Sequence, residues 1–294
     1  MKTSGSETLA TAANTFVGQT EAPLMVAPFI AGMTMSELNA LMTGGFATVA
    51  GGVLAAYVGL LEGVVPGIAG HLIAASVMSA PAALVVAKVM WPETEPSETS
   101  AKGRVEVDRP DVNLIDAAAR GAGEGLKLAL NVGAMLIAFI ALIALANALL
   151  GLPVSLYNEW MGLDGGSAVE PLTLQRILGW LFWPLAFLIG VPASECAAIG
   201  TLLGEKLVLT EFIAYLDLYE TLSEGEVALS PRTVVIASYA LCGFANFGSI
   251  GIQLGGIGGI APERRHDLAR LGVRAMLGGM LASLMTASVA GLLY

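Results

Sequence analysis

Long apolar runs without charged side chains divide the sequence into segments of membrane-spanning length. Such runs lie between residues 37 and 62, 63 and 87, 127 and 159, 232 and 263, and 274 and 294, and His71 is the only ionisable residue inside the second. Each run holds the roughly 20 residues that a helix needs to cross the hydrocarbon core of a bilayer. The pattern predicts about five transmembrane helices.

Two further apolar segments are interrupted by helix-breaking residues, and each contains a glutamate. Glu21 lies in VGQTEAPLMVAP, where Gly18 and Pro23 disfavour a continuous helix, and Glu195 lies in GVPASECAAIG. Non-helical backbone survives at membrane depth only where it is buried in protein or lines a wet cavity. A carboxylate at the bilayer centre costs about 2.5–3.5 kcal/mol on insertion scales. We therefore predict two re-entrant hairpins with functional glutamates; the alternatives are a structural cap or neutralisation by a neighbouring cation.

The order of these elements repeats along the chain. A hairpin, a span broken at TGGFATVAGG (43–52) and a final span make up residues 1–90, and a hairpin, a span broken at GFANFGSIGIQLGGIGG (243–259) and a final span make up residues 159–294. One span separates the two copies, so they are expected to sit in opposite orientations. Inverted repeats with discontinuous helices are the recurring plan of secondary transporters. The predicted fold is an all-α integral membrane protein built on such repeats.

Residues 91–158 connect the two repeats. They begin with PETEPSETSAKGRVEVDRPDV (92–112), the only long polar stretch, which is typical of a solvated connector. Charges spaced by three or four residues from Asp116 to Lys127 then predict an interfacial helix, followed by a scaffold span from Leu128. The alternative is that the charged segment forms the polar start of that span.

Composition and the placement of basic residues support a membrane protein and give its orientation. The chain is 55% hydrophobic and 13% charged, with a mean hydropathy of +0.75, whereas soluble domains carry about 25% charged residues. If residues 1–37 lie on the cytoplasmic side, then 11 of the 14 Lys and Arg residues fall in cytoplasmic segments. The positive-inside rule favours this orientation. We therefore predict a multi-pass protein of the cell membrane with its C-terminus outside.

The candidate chemistry is that of a carrier. The sequence has no phosphate-binding glycine-rich loop, no His/Cys metal cluster and no nucleophile–base pair, and nothing in it indicates a nucleic-acid partner or a catalytic cofactor. Gln19, Thr20, Asn246 and Ser249 all fall at the breaks. One such residue alone is more often a hydrogen bond between helices. Together they indicate a site for a polyhydroxyl or amide-bearing solute.

Four motifs in order, GQTEAP, GGFATVAGG, VPASE and CGFANFGSIGIQLGG, resemble the concentrative nucleoside transporters. The resemblance covers the chain from Ser4 onward, including LIAASVMSAPAALVVAKVMWPETE. It implies two re-entrant hairpins that meet two unwound helices, a homotrimer, and an elevator-like movement of the nucleoside site across the membrane. It also implies uptake coupled to sodium, or in some members to protons.

Residue roles follow from the same resemblance. Gln19 and Thr20 would contact the nucleobase, Glu21 would lie beside them through water, and Val53 and Phe244 would pack on the base. Glu195 and Asn246 would hold ribose hydroxyls, and Ser249 would add a ribose contact. Sodium coordination is expected at Asn14, Val17, Thr48 and Val49, through side-chain oxygens and backbone carbonyls.

The sequence departs from the family in two places. Gly248 stands where many members have serine, which could alter nucleobase preference. The family's first three spans, which precede the first hairpin, are missing from this chain. Two alternatives to a sodium–nucleoside symporter therefore stay open. One is a proton-coupled carrier of nucleosides or another polar solute, with Glu21 and Glu195 carrying the proton, and the other is a truncated fragment that does not transport.

Overall fold

The computed structural model of the protein describes residues 3–100, 112–163, 169–224 and 228–294, and the regular structure in these ranges is helical throughout. Four segments there are long and apolar enough to cross a membrane: Met35–Leu61, Ile68–Met90, Ile140–Met161 and Pro262–Leu293. The run between residues 232 and 263, expected to be a fifth span, is divided by a break into two shorter helices. The break lies at residues 242–246, and most of the segment predicted to be broken (243–259) is helical.

The first hairpin consists of helix α1 (Gly5–Asn14) and a short return arm, which is a 3-10 turn (Ala22–Val26) followed by α2 (Ala27–Ile30). Ser4 and Glu7 form a capping box at the start of α1. Gly18 lies at the tip with φ of 121°, and a Cβ atom there would come within 2.9 Å of the Ala50 Cβ. The tip therefore needs glycine both for its backbone conformation and for its close approach to the neighbouring helix.

The first broken helix consists of α3 (Met35–Ala47) and α4 (Gly51–Leu61), and it is followed by α5 (Ile68–Met90). Thr48 and Ala50 have extended backbone dihedral angles, so the helix unwinds over the three residues between α3 and α4. Almost every residue of α3 is buried, which identifies it as the central helix of this half.

The connecting helix α6 runs without interruption over 48 residues, from Leu114 to Met161. Asn113 caps its N-terminus by accepting hydrogen bonds from the backbone N–H groups of Ile115 and Asp116. The charged segment that the sequence predicts as an interfacial helix is therefore continuous with the span.

In the second half, α7 (Leu174–Leu188) and α8 (Cys196–Val208) form a hairpin, and the broken helix consists of α10 (Pro231–Leu241) and α11 (Phe247–Ile260). The last helix, α12 (Arg265–Leu293), follows a short 3-10 turn. The segment between the hairpin and the broken helix contains an additional helix, α9 (Glu211–Glu224). Among the described residues the first half has no helix in the corresponding place.

The two broken helices meet at their breaks. Gly243, in the second break, has φ of 126°, and a Cβ atom there would lie 2.9 Å from the Ala47 carbonyl oxygen and 3.0 Å from that of Phe46. Ser283 of α12 donates a hydrogen bond of 2.8 Å to the Cys242 carbonyl in the same break. The unwound backbone of the second half thus crosses the C-terminal end of α3, and we call this contact the crossing.

A buried polar cluster holds the base of the first hairpin. The Lys88 ammonium lies 2.8 Å from the Glu7 carboxylate and donates to the Ser36 hydroxyl at 2.9 Å. Ser97 donates to Glu37, and the Thr99 hydroxyl lies 2.7 Å from that of Ser6. The connector over residues 91–100 is thereby fastened to α1 and α3.

Candidate functional site

A cavity of about 290 Å³ opens where the first hairpin tip, the two breaks and the start of α9 come together. This volume is at the lower end of the range for small-molecule sites, roughly 300–1,000 Å³. The cavity has four walls, which carry Gly18, Gln19, Thr20 and Glu21; Ala50 and Val53; Thr210 and Glu211; and Phe244, Asn246, Ser249 and Ile252. Polar groups from distant parts of the chain therefore converge on a pocket with apolar surfaces at Val53, Phe244 and Ile252.

One polar wall is formed by the first hairpin tip and α11. The Gln19 amide nitrogen donates a hydrogen bond of 3.1 Å to the Ser249 hydroxyl, and both side chains are buried. Asn246 caps α11 by accepting a hydrogen bond of 2.7 Å from the Ser249 backbone N–H. The N-terminal end of α11 is thus fixed against the hairpin tip.

The second polar wall is the Glu211 carboxylate. Its Oε1 accepts a hydrogen bond of 2.8 Å from the Tyr57 hydroxyl, and its Oε2 accepts one of 3.0 Å from the Asn246 amide. Glu211 is only 4% exposed, and its negative charge is stabilised by its own backbone N–H, by these two donors and by the nearby Lys206 ammonium. Lys206 is itself buried and donates to the Ala240 carbonyl at 2.8 Å, in the last turn of α10.

The structure brings seven of the eight residues predicted for substrate contact to this cavity, and these are Gln19, Thr20, Glu21, Val53, Phe244, Asn246 and Ser249. Glu195 lies elsewhere. Its Oε2 accepts hydrogen bonds of 3.1 Å from both the backbone N–H and the hydroxyl of Ser230, just before α10. The second hairpin tip therefore faces the start of α10, and the carboxylates that line the cavity are those of Glu21 and Glu211.

The residues predicted for sodium lie where α1 and α3 end side by side. Thr11 of α1 packs against Gly44 of α3, and the Phe16 carbonyl accepts a hydrogen bond of 3.0 Å from the Gly51 N–H. Asn14 therefore comes next to Thr48 and Val49 on the adjacent chain segment, and all three are buried. Val17 follows one turn later and is 42% exposed.

Asn14 is unusual among these residues because neither its amide oxygen nor its amide nitrogen has a hydrogen-bond partner in the described part of the chain, although the side chain is fully buried. A buried amide without partners is costly unless a ligand satisfies it. The C-terminal ends of α1 and α3 also lie side by side here. Helix C-termini carry partial negative charge, so the surroundings of Asn14 favour a cation.

Comparison with known proteins identifies the family. A family profile described as "Na+ dependent nucleoside transporter C-terminus" matches residues 71–291. The chain belongs to this family. The resemblance to concentrative nucleoside transporters drawn from the four motifs is therefore confirmed.

Relatives of this transporter chain include proteins from bacteria and mammals. It is 50% identical to the "Uncharacterized transporter YutK" of Bacillus subtilis (strain 168), over 99% of this chain and 67% of that protein. It is 42% identical to "Sodium/nucleoside cotransporter 1" of Mus musculus, over 100% of this chain and 45% of that protein. A solved structure described as "CNTnw in an inward-facing substrate-bound state" matches with a TM-score of 0.76 and 50% identity, over 99% of this chain and 65% of that one. The chain thus spans about two thirds of its bacterial relatives and less than half of the mammalian ones.

Two residues of the transporter's cavity region escaped the sequence analysis. Glu211 was overlooked because it follows no Gly/Pro break, although it stands as a single carboxylate between the apolar stretches LVL and FIAY. Gln253 was not predicted because it lies within the glycine-rich segment IQLGG, whose glycines indicate a break in the helix rather than a polar contact. In both cases the signal was a lone polar side chain in an apolar run.

Proposed function

We propose that this protein is a symporter that imports nucleosides across the cell membrane, driven by sodium. The observation that carries the proposal is the cavity itself, whose two polar walls have opposite hydrogen-bonding character. Glu211 offers acceptors, whereas Gln19 and Ser249 offer N–H and O–H donors. A nucleoside has the matching distribution, with donating hydroxyls on its sugar and acceptors on its base.

The ribose is assigned to the Glu211 wall. A buried carboxylate forms strong hydrogen bonds with hydroxyl donors, and Asn246 beside it holds Glu211 in place. The base is assigned to the space between Val53 and Phe244, which are half-buried apolar side chains on opposite elements. Gln19 and Thr20 contact the base edge from the hairpin tip. The Glu21 carboxylate accepts a hydrogen bond of 2.9 Å from the Thr20 hydroxyl.

Sodium is assigned to the Asn14 amide oxygen, the Thr48 hydroxyl and the carbonyls of Val17 and Val49. The unpartnered Asn14 amide and the converging helix C-termini support this assignment. Only four residues separate Asn14 from Gln19, and the last of them, Gly18, already belongs to the hairpin tip. A cation that orders this tip also orders the residues that contact the base. Bound sodium would therefore raise the affinity for the nucleoside, which is the difference in affinity that coupling requires.

The remaining parts of the proposal concern assembly and orientation. A homotrimer is proposed because α6 carries a row of exposed apolar side chains, including Ile137, Ile140, Leu145 and Leu149, that a scaffold interface or lipid would cover. The C-terminus is proposed to lie outside. Arg264 donates to the carbonyls of Ile30, Ala31 and Met33, and Arg274 lies over the Trp91 ring. We propose that this basic segment at the start of α12 lies on the cytoplasmic side. The 29 residues of α12 would then carry the C-terminus to the outer side.

The test is uptake of radiolabelled uridine into proteoliposomes that contain this chain. We expect accumulation with an inward sodium gradient and none when choline replaces sodium. Accumulation driven by a proton gradient instead would replace sodium with protons as the coupling ion. Protein that is inserted and folded but neither accumulates nor binds uridine would refute the proposed function.

A further inference from the structure

Gln253 lies behind the cavity, one helical turn beyond Ser249 on α11. Its side chain is fully buried, and its amide nitrogen donates two hydrogen bonds, one of 3.0 Å to the Gln19 amide oxygen and one of 3.1 Å to the Met42 carbonyl of α3. Gln253 does not line the cavity. It therefore reaches the site only through Gln19.

The direction of these hydrogen bonds follows from Met42. A backbone carbonyl can only accept, so the Gln253 group that faces it must be the NH₂ group. The same NH₂ group faces Gln19, which must then present its amide oxygen to Gln253 and its own NH₂ group to Ser249. Turning either amide over would place two acceptors or two donors against each other in a buried space, which is costly.

Close packing leaves little room for Gln253 or Gln19 to rearrange. A Cβ atom on Gly45 of α3 would lie 2.8 Å from the Gln253 amide nitrogen and 3.0 Å from the Gln19 Cβ. The absence of a side chain at Gly45 is thus what allows the two amides to meet against α3. The Gln253 amide is thus held by its hydrogen bonds to Met42 and Gln19, and both glutamine side chains pack against Gly45.

We propose that Gln253 is a positioning residue that fixes the amide of Gln19 with its NH₂ group toward Ser249, and thereby sets nucleobase selectivity. Because Ser249 accepts from Gln19, its own hydroxyl hydrogen is available to donate, and the Gln19 and Ser249 side chains both present donors to the cavity. The proposal rests on the proposed function, in which Gln19 contacts the base. Without Gln253 the Gln19 amide can turn over and present either its oxygen or its nitrogen.

The experiment compares uridine and cytidine, whose base edges carry opposite donors and acceptors at two neighbouring ring positions. Equilibrium binding of both is measured at saturating sodium for the wild type, for Gln253→Met and for the matched control Ile257→Met. Methionine nearly preserves the volume of glutamine but forms none of its hydrogen bonds, and Ile257 is a buried α11 residue one turn further on. The ratio of the two affinities does not depend on the fraction of active protein.

We expect the wild type to discriminate between the two nucleosides and Gln253→Met to bring their affinity ratio toward one by about fivefold, the worth of one neutral hydrogen bond. The control should keep the wild-type ratio. If Gln253→Met does not fold, Gly45→Ala displaces the same amide and should shift the ratio in the same direction. An equal loss for both nucleosides, or a wild type that does not discriminate, would overturn the proposal. A wild type that binds neither would overturn the proposed function itself.

Discussion

The Glu211 carboxylate gives the sharpest prediction for substrate binding. Glu211→Gln keeps the shape of the side chain but removes its charge and replaces one acceptor oxygen by a donor. The new NH₂ group would face either the Asn246 amide or the Tyr57 hydroxyl, both of which now donate to Glu211. We therefore expect the variant to bind uridine more weakly, because the ribose hydroxyls lose a charged acceptor.

The size of this loss can be worked from the site. A hydrogen bond to a charged group contributes about 1.5–3 kcal/mol, and each 1.4 kcal/mol is tenfold, so losing one such bond weakens uridine binding by about 10- to 150-fold. The same reasoning applies to a substrate without the hydroxyl. Uridine analogues lacking the 2′ or the 3′ hydroxyl should bind the wild type more weakly, and one of them should lose little further affinity in Glu211→Gln.

The assay is equilibrium binding of radiolabelled uridine to purified protein at saturating sodium, with Glu195→Gln as the matched control. Glu195 is also a glutamate near a break, but its hydrogen bonds go to Ser230 outside the cavity. Wild-type affinity in Glu211→Gln together with a large loss in Glu195→Gln would refute the assignment of the ribose to Glu211. It would return that role to the residue that the sequence motif indicates.

Three further predictions test the cation site, the crossing and the buried polar cluster. Asn14→Ala should raise the sodium concentration needed for half-maximal uridine binding at least several-fold, and an unchanged sodium titration would contradict the assignment. Gly243→Ala should lower the thermal melting temperature, because an alanine with positive φ costs of order 1–3 kcal/mol and its Cβ would also press on the Ala47 carbonyl. Gly59→Ala serves as the control, because a Cβ atom at Gly59 has no neighbour within 4 Å. Lys88→Met should destabilise the protein by about 3–5 kcal/mol, because it leaves the Glu7 carboxylate buried without its partner. Adding Glu7→Gln to this variant should recover part of the lost melting temperature. A double variant no more stable than the single one would count against this ion pair.

The membrane architecture could be predicted from the sequence because lipid imposes strong local rules. Charges are excluded from spans, so the apolar runs mark them, and breaks need Gly or Pro, so Gly18 and the GFANFGSIG segment mark the unwound backbone. The division of the run between residues 232 and 263 into α10 and α11 follows the same rule. Hydropathy alone does not give the count of separate spans, because a broken helix and a continuous one can have equally apolar sequences.

The candidate site could be predicted only in part, because contacts between distant segments are not encoded in local patterns. Gln19 and Asn246 stood out because each lies at a break. Glu211 is the first residue of α9 and Gln253 lies inside α11, and only the packing of these helices against the first half brings the two residues to the site. Conversely, Glu195 has every local feature of a site residue, and its actual partner, Ser230, lies 35 positions away.

The crossing of the two breaks has a consequence for how the substrate can gain access to each side of the membrane. Gly243 touches the final carbonyls of α3 without any intervening side chain, and α12 is fastened to the same break through Ser283. If one half slid past the other, the backbone at Gly243 would clash with the backbone at the end of α3. We therefore expect the two unwound segments, which are in direct backbone contact, to move as one body in any rearrangement of the protein.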